Sequence, residues 1–457
     1  MIREIKWKNH PILGELVLDL TTQDGGVYNS IVLAGENGTG KTTILETLSA
    51  FLNRGSISQF EYIKYEVSGE VYTVYPREEL QFADAGWHIR TKESTGEQKN
   101  ISINKGNNPR SDDVDAEDIR HYGCAYSKAR SGFSTKKITT ITTQQIDSGM
   151  YEEDKNEDFT LIKQLLVDLE TQDNSDWMQI TISRTGISFE DFRQSSKLHR
   201  FEEAFNNFFE NMRFKKVDHL QQNEKKIIFT KNNKDISIDD LSTGEKQIVF
   251  RGAHLLKNSN SVDGGVILID EPELSMHPKW QEKVLKFYRD LFTRSGIQTT
   301  QMIFATHSEY VLRSALSCTN EVLTIVLNDN GGNLEAKRVV APNLLPTITA
   351  AETNYLAFDI VTNDLHIELY GYLQSKVALS LGKTECSVKE CDTYITQQAD
   401  YNAVIHRKPS AYVMTHHTTN YETLPTFIRN AIDHPDPTRT FTQQELRMSI
   451  ELLIKLC

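Results

Sequence analysis

Gly35-Glu36-Asn37-Gly38-Thr39-Gly40-Lys41-Thr42 is the stretch that most narrows what this chain can fold into. It fits GxxxxGK[ST] at every constrained position, between an apolar burst (Ser30-Ile31-Val32-Leu33-Ala34) and a helical pattern from about Lys41 to Asn53. Its glycines let the backbone curl until N–H groups point inward at phosphate, and the helix beyond adds its positive end. Such a loop needs a buried parallel strand before it and a helix after it, so an α/β fold is expected. Gly35, Asn37, Gly38, Gly40, Lys41, Thr42 and Thr43 become the expected nucleotide contacts. Lys41 would reach the β- and γ-phosphates of ATP, and Thr42 would ligate Mg²⁺.

Two further apolar strands end in polar chemistry. Val266-Ile267-Leu268-Ile269 runs into Asp270 and Glu271. Asp270 is placed to hold the Mg²⁺ hydration shell beside Thr42, and Glu271 to polarise an attacking water as general base. Gln301-Met302-Ile303-Phe304-Ala305 runs into Thr306-His307-Ser308. Between the loop and these strands lies Leu241-Ser242-Thr243-Gly244-Glu245-Lys246-Gln247, a turn opening an apolar helix, with Ser242 as N-cap and Glu245 completing a capping box.

Length and charge restrict the alternatives. A chain of 457 residues exceeds one typical core, so more than one domain is expected. A formal charge of −13 argues against a chain that coats nucleic acid over its whole surface. Local basic pieces (Lys128, Arg130, Lys136 and Lys137; Arg213, Lys215 and Lys216) read as solvated faces. No run of eighteen apolar residues suits a bilayer. The N-terminus lacks the apolar core of a signal peptide, and five cysteines are too few and odd for a disulfide framework. A cytoplasmic protein with no membrane contact is expected.

In order, these motifs resemble the ABC ATPases, whose LSGGQ-type signature corresponds to Leu241–Gln247. The resemblance implies that Ser242, Gly244 and Glu245 close over ATP held by a second copy's phosphate loop, in a homodimer or higher even-numbered homo-oligomer. It also implies that His307 contacts the γ-phosphate and acts with Glu271 in catalysis. Asp270-Glu271-Pro272-Glu273-x-x-x-His277-Pro278 departs from the transporters and resembles the OLD-like and RecF-like branch. The glutamine of the family's Q-loop has no counterpart in Tyr122-Gly123-Cys124-Ala125-Tyr126, where it should lie.

The expected fold class is therefore an ABC-type P-loop ATPase head with a largely parallel sheet, an antiparallel lobe from 57–125 and a helical insertion at about 144–225. The head spans 1–345, and 346–457 is a C-terminal helical, partner-binding domain. In that tail, Glu352–Phe358 with His366–Tyr372, and Ile428–Pro435 with the closing helix, resemble PtuA, the family of ATPase subunits of Septu anti-phage systems. That resemblance implies a defence ATPase regulating an HNH endonuclease on another chain, with DNA or RNA reached through the complex. Two alternatives stay open. Arg429 and His434 have the RxxxxH spacing of HEPN ribonucleases, and the head alone would suit a DNA-repair ATPase. For the first, the competing reading is a helix C-terminus, with His434 suiting the dipole and Pro435 stopping the helix.

Overall fold

The computed structural model describes residues 1–103, 114–129, 135–142, 146–147, 159–183, 186–218, 224–257, 264–294, 296–339, 344–414 and 417–457. The chain divides into two compact units, Met1–Arg338 and Val339–Cys457.

The first unit opens with β1 (Ile2–Trp7), β2 (Val17–Asp19) and β3 (Ser30–Gly35), from which the phosphate loop leads into α1 (Lys41–Leu52). Next come β4 (Phe60–Val67), β5 (Glu70–Pro76), a short α2 (Leu80–Asp84), β6 (His88–Lys92) and β7 (Gln98–Ile101). The expected antiparallel lobe is present and takes in the N-terminal strands, in the order β2-β1-β4-β5-β6-β7. Alternation drives it: Ile63 and Tyr65 of β4 turn inward while Tyr62 and Lys64 lie nearer solvent, and a register shift opposite Trp7 lets Phe60 turn inward as well.

β8 (Cys124–Ser127) leaves the lobe for a second sheet. The insertion expected at about 144–225 is helical in α3 (Thr160–Ser183), α4 (Phe189–Ser195) and α5 (His199–Phe208). Residues 143–145, 148–158, 184–185 and 219–223 of that region lie outside the described residues, as does Arg130. Its end corrects the expectation, because Met212–Asp218 is a strand, β9, paired with β10 (Lys226–Lys231). Pairing skips Lys215 between Phe214 and Lys216, and this bulge breaks the period of two that would have disclosed the strand. β10 then pairs β11 (Lys234–Ser237) in the expected hairpin.

The signature opens α6 (Thr243–Lys246), which continues through a π-helical turn at Gln247–Arg251 into α7 (Gly252–Leu256). The unit closes with β12 (Val266–Asp270), α8 (Pro278–Asp290), β13 (Thr293–Arg294), β14 (Ile297–Gln298), β15 (Gln301–Ala305), α9 (Glu309–Leu316), β16 (Val322–Asn330) and β17 (Asn333–Val339). The central sheet runs β17-β16-β3-β15-β12-β8, and the pairs β16–β3, β3–β15, β15–β12 and β12–β8 are parallel. β3, β12 and β15 are buried along their whole length, as apolar runs covered on both faces should be. Helix α1 contributes Ile44, Leu45, Leu48, Phe51 and Leu52 to a core that also holds Trp7, Ile31, Phe60 and Leu268. Each such side chain contributes roughly 1.5–3 kcal/mol of burial, so the helix behind the phosphate loop is firmly seated.

The second unit contains α10 (Ala350–Phe358), α11 (Asn363–Ser380), α12 (Val388–Thr396), α13 (Ala403–His406), α14 (Leu424–Asp433) and α15 (Gln443–Leu456). It is not wholly helical: β18 (Arg407–Met414) and β19 (His417–Thr423) form an antiparallel hairpin before α14. Leu365, Leu369, Leu373, Ile395, Ile428, Ile450 and Leu453 make the core of the unit. The buried Asp392 carboxylate ties the hairpin down, accepting from the N–H of Glu422 and Thr423 at 3.0 Å each and from Thr423 Oγ1 at 2.8 Å.

Candidate active site

Parallel strands gather their carboxyl ends along one sheet edge, where α/β folds bind ligands. Here the register sets Leu33 and Asp270 each opposite Ala305, and Ile269 opposite Ser127. Gly35, Asp270, Thr306 and Ser127 therefore leave the sheet together. Thr306 N–H also donates to Leu33 O at 3.0 Å, fixing the third strand to the base of the phosphate loop.

The loop is a cradle that side chains would fill. A Cβ on Gly35 would stand 2.6 Å from Leu327 O and 2.9 Å from Thr39 Oγ1, and one on Gly40 would meet Leu13 Cδ2 at 2.5 Å. Gly38 has φ +87° and nothing within 4 Å of its Cβ position, so the loop is open at that point. Asn37 is exposed beside it. Thr39 braces the turn through Oγ1, which donates to Glu36 O at 2.8 Å. Gly40 is the N-cap of α1, left-handed and without a side-chain cap, and the first turn carries no acidic residue. Its first N–H groups are thus left to a ligand. Lys41 Nζ donates to the carbonyls of Gly35 and Glu36, both at 2.8 Å. Burial lowers its pKa, against the raising effect of Asp270, Glu271 and Glu273.

Thr42 Oγ1 donates to Asp270 Oδ2 at 2.9 Å, a hydroxyl and a carboxylate side by side, which is the oxygen set that suits Mg²⁺. Thr43 follows, half-buried. Burial raises the Asp270 pKa, Thr42 works against the rise, and Glu271 adds to it. Glu271 has φ +44°, a conformation that a side chain of this size rarely adopts, and its N–H donates to Ala305 O at 2.9 Å. His307 Nδ1 lies 3.5 Å from Glu271 Oε1. The phosphate loop, Thr42, Asp270, Glu271 and His307 are thus brought together, and the cradle and its oxygen donors fit Mg·ATP.

The signature packs against the turn that follows Glu271. Ser242 caps α6: its Oγ accepts from Glu245 N–H at 3.4 Å, while Glu245 Oε2 accepts from Ser242 N–H at 2.8 Å. Glu245, expected among the nucleotide contacts, is 2% exposed and turned inward, and Lys231 pairs with it at 2.6 Å. Burial opposes its charge, but Lys231 and Ser242 outweigh burial and its pKa falls. Ser242 and Thr243 are exposed. Gly244 is buried where a Cβ would meet Ser275 O at 2.8 Å and Trp280 at 3.4 Å, so only glycine lets the turn after Glu271 pack there.

Several residues of this edge escaped the sequence reading. Arg251, 1% exposed in the π-helical turn, reaches Ser127 Oγ at 2.8 Å, Ser127 O at 3.1 Å, Asp270 O at 2.6 Å and Glu271 O at 2.9 Å. It thereby clamps the ends of β8 and β12, where a Q-loop was sought. A lone cation inside the apolar run Ile248–Leu256 was the available signal. Glu273, in the turn after Glu271, accepts from Thr306 Oγ1 at 2.6 Å. In the second unit Arg429 pairs with Asp433 at 2.8 Å, and His434 is the exposed C-cap of α14 before Pro435. The basic pieces meet carboxylates: Lys128–Glu46, Lys137–Glu224, Lys215–Asp235 and Lys216–Asp218.

The family described as "AAA domain, putative AbiEii toxin, Type IV TA system" matches residues 76–313, just over half of the chain, a span that holds the signature, Asp270, Glu271 and His307. The chain belongs to this family of AAA-domain ATPases. It is 25% identical to the "Retron Ec83 probable ATPase" of Escherichia coli over 74% of this chain and 73% of that one. It is likewise a homologue of the Septu protein PtuA of Bacillus thuringiensis, 25% identical over 65% of this chain and 70% of that one. The "Retron Vc95 probable ATPase" of Vibrio cholerae is 26% identical over 40% of this chain and 34% of its own. Among solved structures, the SMC head domain from Thermotoga maritima aligns over 74% of this chain and 99% of that one, at 14% identity and a TM-score of 0.34, too low to add to what the sheet topology shows. Among the described residues no helix is long and apolar enough to cross a membrane.

Proposed function

We propose that this AAA-family ATPase is the ATP-binding subunit of a cytoplasmic, Septu-like anti-phage complex, in which two heads close on Mg·ATP and control an HNH endonuclease carried on another chain. The observation that carries the reading is the assembled edge itself: Lys41, Thr42–Asp270 and Glu271–His307 at the carboxyl ends of one parallel sheet. The homology to PtuA supports the choice of partner.

When bound, Mg²⁺ supplies Lewis-acid stabilisation of phosphoryl oxygens. The chain's own residues do the rest. The uncapped start of α1 and Lys41 hold the β- and γ-phosphates, and Thr42 with Asp270 hold the cation. Glu271 accepts the proton of the attacking water, and His307 beside it reads the γ-phosphate. Ser242 and Thr243, exposed at the start of α6, are the surface that meets the partner's nucleotide. Ile12, 55% exposed, lies against Gly40 and offers apolar contact to the base.

Co-expression of the tagged chain with an HNH endonuclease encoded beside its gene tests the complex. A stable pair whose nuclease activity changes with ATP is the expected result. Separate elution of the two chains, or nuclease activity indifferent to ATP and to Lys41→Ala, would refute it.

A further inference from the structure

Glu273 has no part in the assignments above, yet it is as deeply buried as Asp270. It is 4% exposed, and its Oε2 has no hydrogen-bond partner among the described residues. Its Oε1 accepts from Thr306 Oγ1 at 2.6 Å and from His307 N–H at 3.4 Å, and lies 3.9 Å from His307 Nδ1. Thr306, fully buried, is in turn fixed to Leu33 O below the phosphate loop. A carboxylate placed this way is costly to bury and has no packing purpose that a leucine would not serve better.

Its backbone leads to the signature. The turn from Glu271 to Met276 is closed by Leu274 N–H to Glu271 O at 3.2 Å and Met276 N–H to Glu273 O at 3.0 Å. Ser275 within it has φ +60°, and its carbonyl is the atom that a Cβ on Gly244 would strike. From His307 to Gly244 there is thus one continuous path: ring and N–H to Glu273, Glu273 through its turn to Ser275, Ser275 onto the signature.

We infer that Glu273 is a positioning residue, holding His307 against Glu271 and passing the position of His307 to the signature helix through the Glu271–Met276 turn. This rests on the nucleotide-site reading above. Glu273 acts through His307 on one side and Ser275–Gly244 on the other. A displacement of about 1 Å at a catalytic group costs on the order of 100-fold in rate, so the expected signature is a loss in kcat with ATP affinity intact.

The test compares Glu273→Ala, Glu273→Gln and Thr306→Val in the full chain, measuring kcat by phosphate release, ATP affinity by calorimetry and melting temperature. Glu273→Ala should lower kcat by about 100-fold with Kd for ATP unchanged. Glu273→Gln keeps an acceptor for Thr306 Oγ1 and His307 N–H and should recover most of the rate, whereas Thr306→Val, which leaves the space filled but removes the bond, should not. If Glu273→Ala fails to fold, Thr306→Val breaks the same bond at constant volume and should lower kcat in the same selective way. Wild-type kcat in Glu273→Ala or in Thr306→Val, or equal loss in Glu273→Gln and Glu273→Ala, overturns the inference. Lys41→Ala separates the two levels. ATP binding that survives it sinks the nucleotide-site reading, whereas lost binding there with normal turnover in Glu273→Ala sinks only the role of Glu273.

Discussion

Two helices of the first unit begin where an anion can be met, and they begin differently. α1 starts from a left-handed glycine with no side-chain cap and no acid in its first turn. α6 starts from Ser242 with a closed capping box, its own carboxylate occupying the positive end. A helix start without a cap forgoes stabilisation of about 1 kcal/mol, and α1 is anchored instead by five buried apolar side chains. Its N–H groups remain for phosphate. At α6 the capping box engages the N–H groups of Ser242 and Glu245 within the chain, and Ser242 and Thr243 themselves stay exposed.

That difference can be broken at either helix. Lys41→Ala should weaken ATP binding by about 100-fold or more, read by calorimetry, because the cation of the uncapped loop is lost; unchanged affinity would remove the site from α1. Glu271→Gln should slow turnover by about 100- to 10,000-fold while ATP is still held, seen as retained binding beside absent phosphate release. Arg251 joins the two regions, since it lies on the signature helix but reaches the carbonyls behind Asp270 and Glu271. Arg251→Met should lower stability by about 3 kcal/mol in denaturant titration, with turnover falling as well; a chain that loses neither would make the clamp incidental. The smallest effect should come from Ser242→Ala, about 1 kcal/mol of stability from the lost cap, with ATP affinity at its own phosphate loop unchanged.

What could be read in the sequence was chemistry that is local in the chain. The phosphate loop, the acids ending Val266–Asp270 and the histidine after Gln301–Ala305 each declare themselves within a few residues, because a strand end and the group it presents are consecutive. Ser242 and Glu245 were legible as a capping box for the same reason, but a pattern of spacing does not say which way Glu245 turns. Arg251 and Glu273 depend on contacts between elements far apart in sequence, from Arg251 to Ser127 and from Glu273 to Thr306, and no local pattern encodes those. β9 was hidden by the bulge at Lys215, and the hairpin of β18 and β19 by the helices on either side of it.

Whether the two helix starts form one nucleotide site across two chains is tested most directly by mixing two inactive variants. Lys41→Ala destroys the loop of its own chain and leaves its signature intact; Ser242→Arg does the reverse. Each alone should release no phosphate. Mixed and allowed to exchange subunits, they should regain a fraction of wild-type turnover, because sites form that combine an intact loop with an intact signature. A mixture as inactive as its components, or full activity in Ser242→Arg by itself, would contradict the shared site.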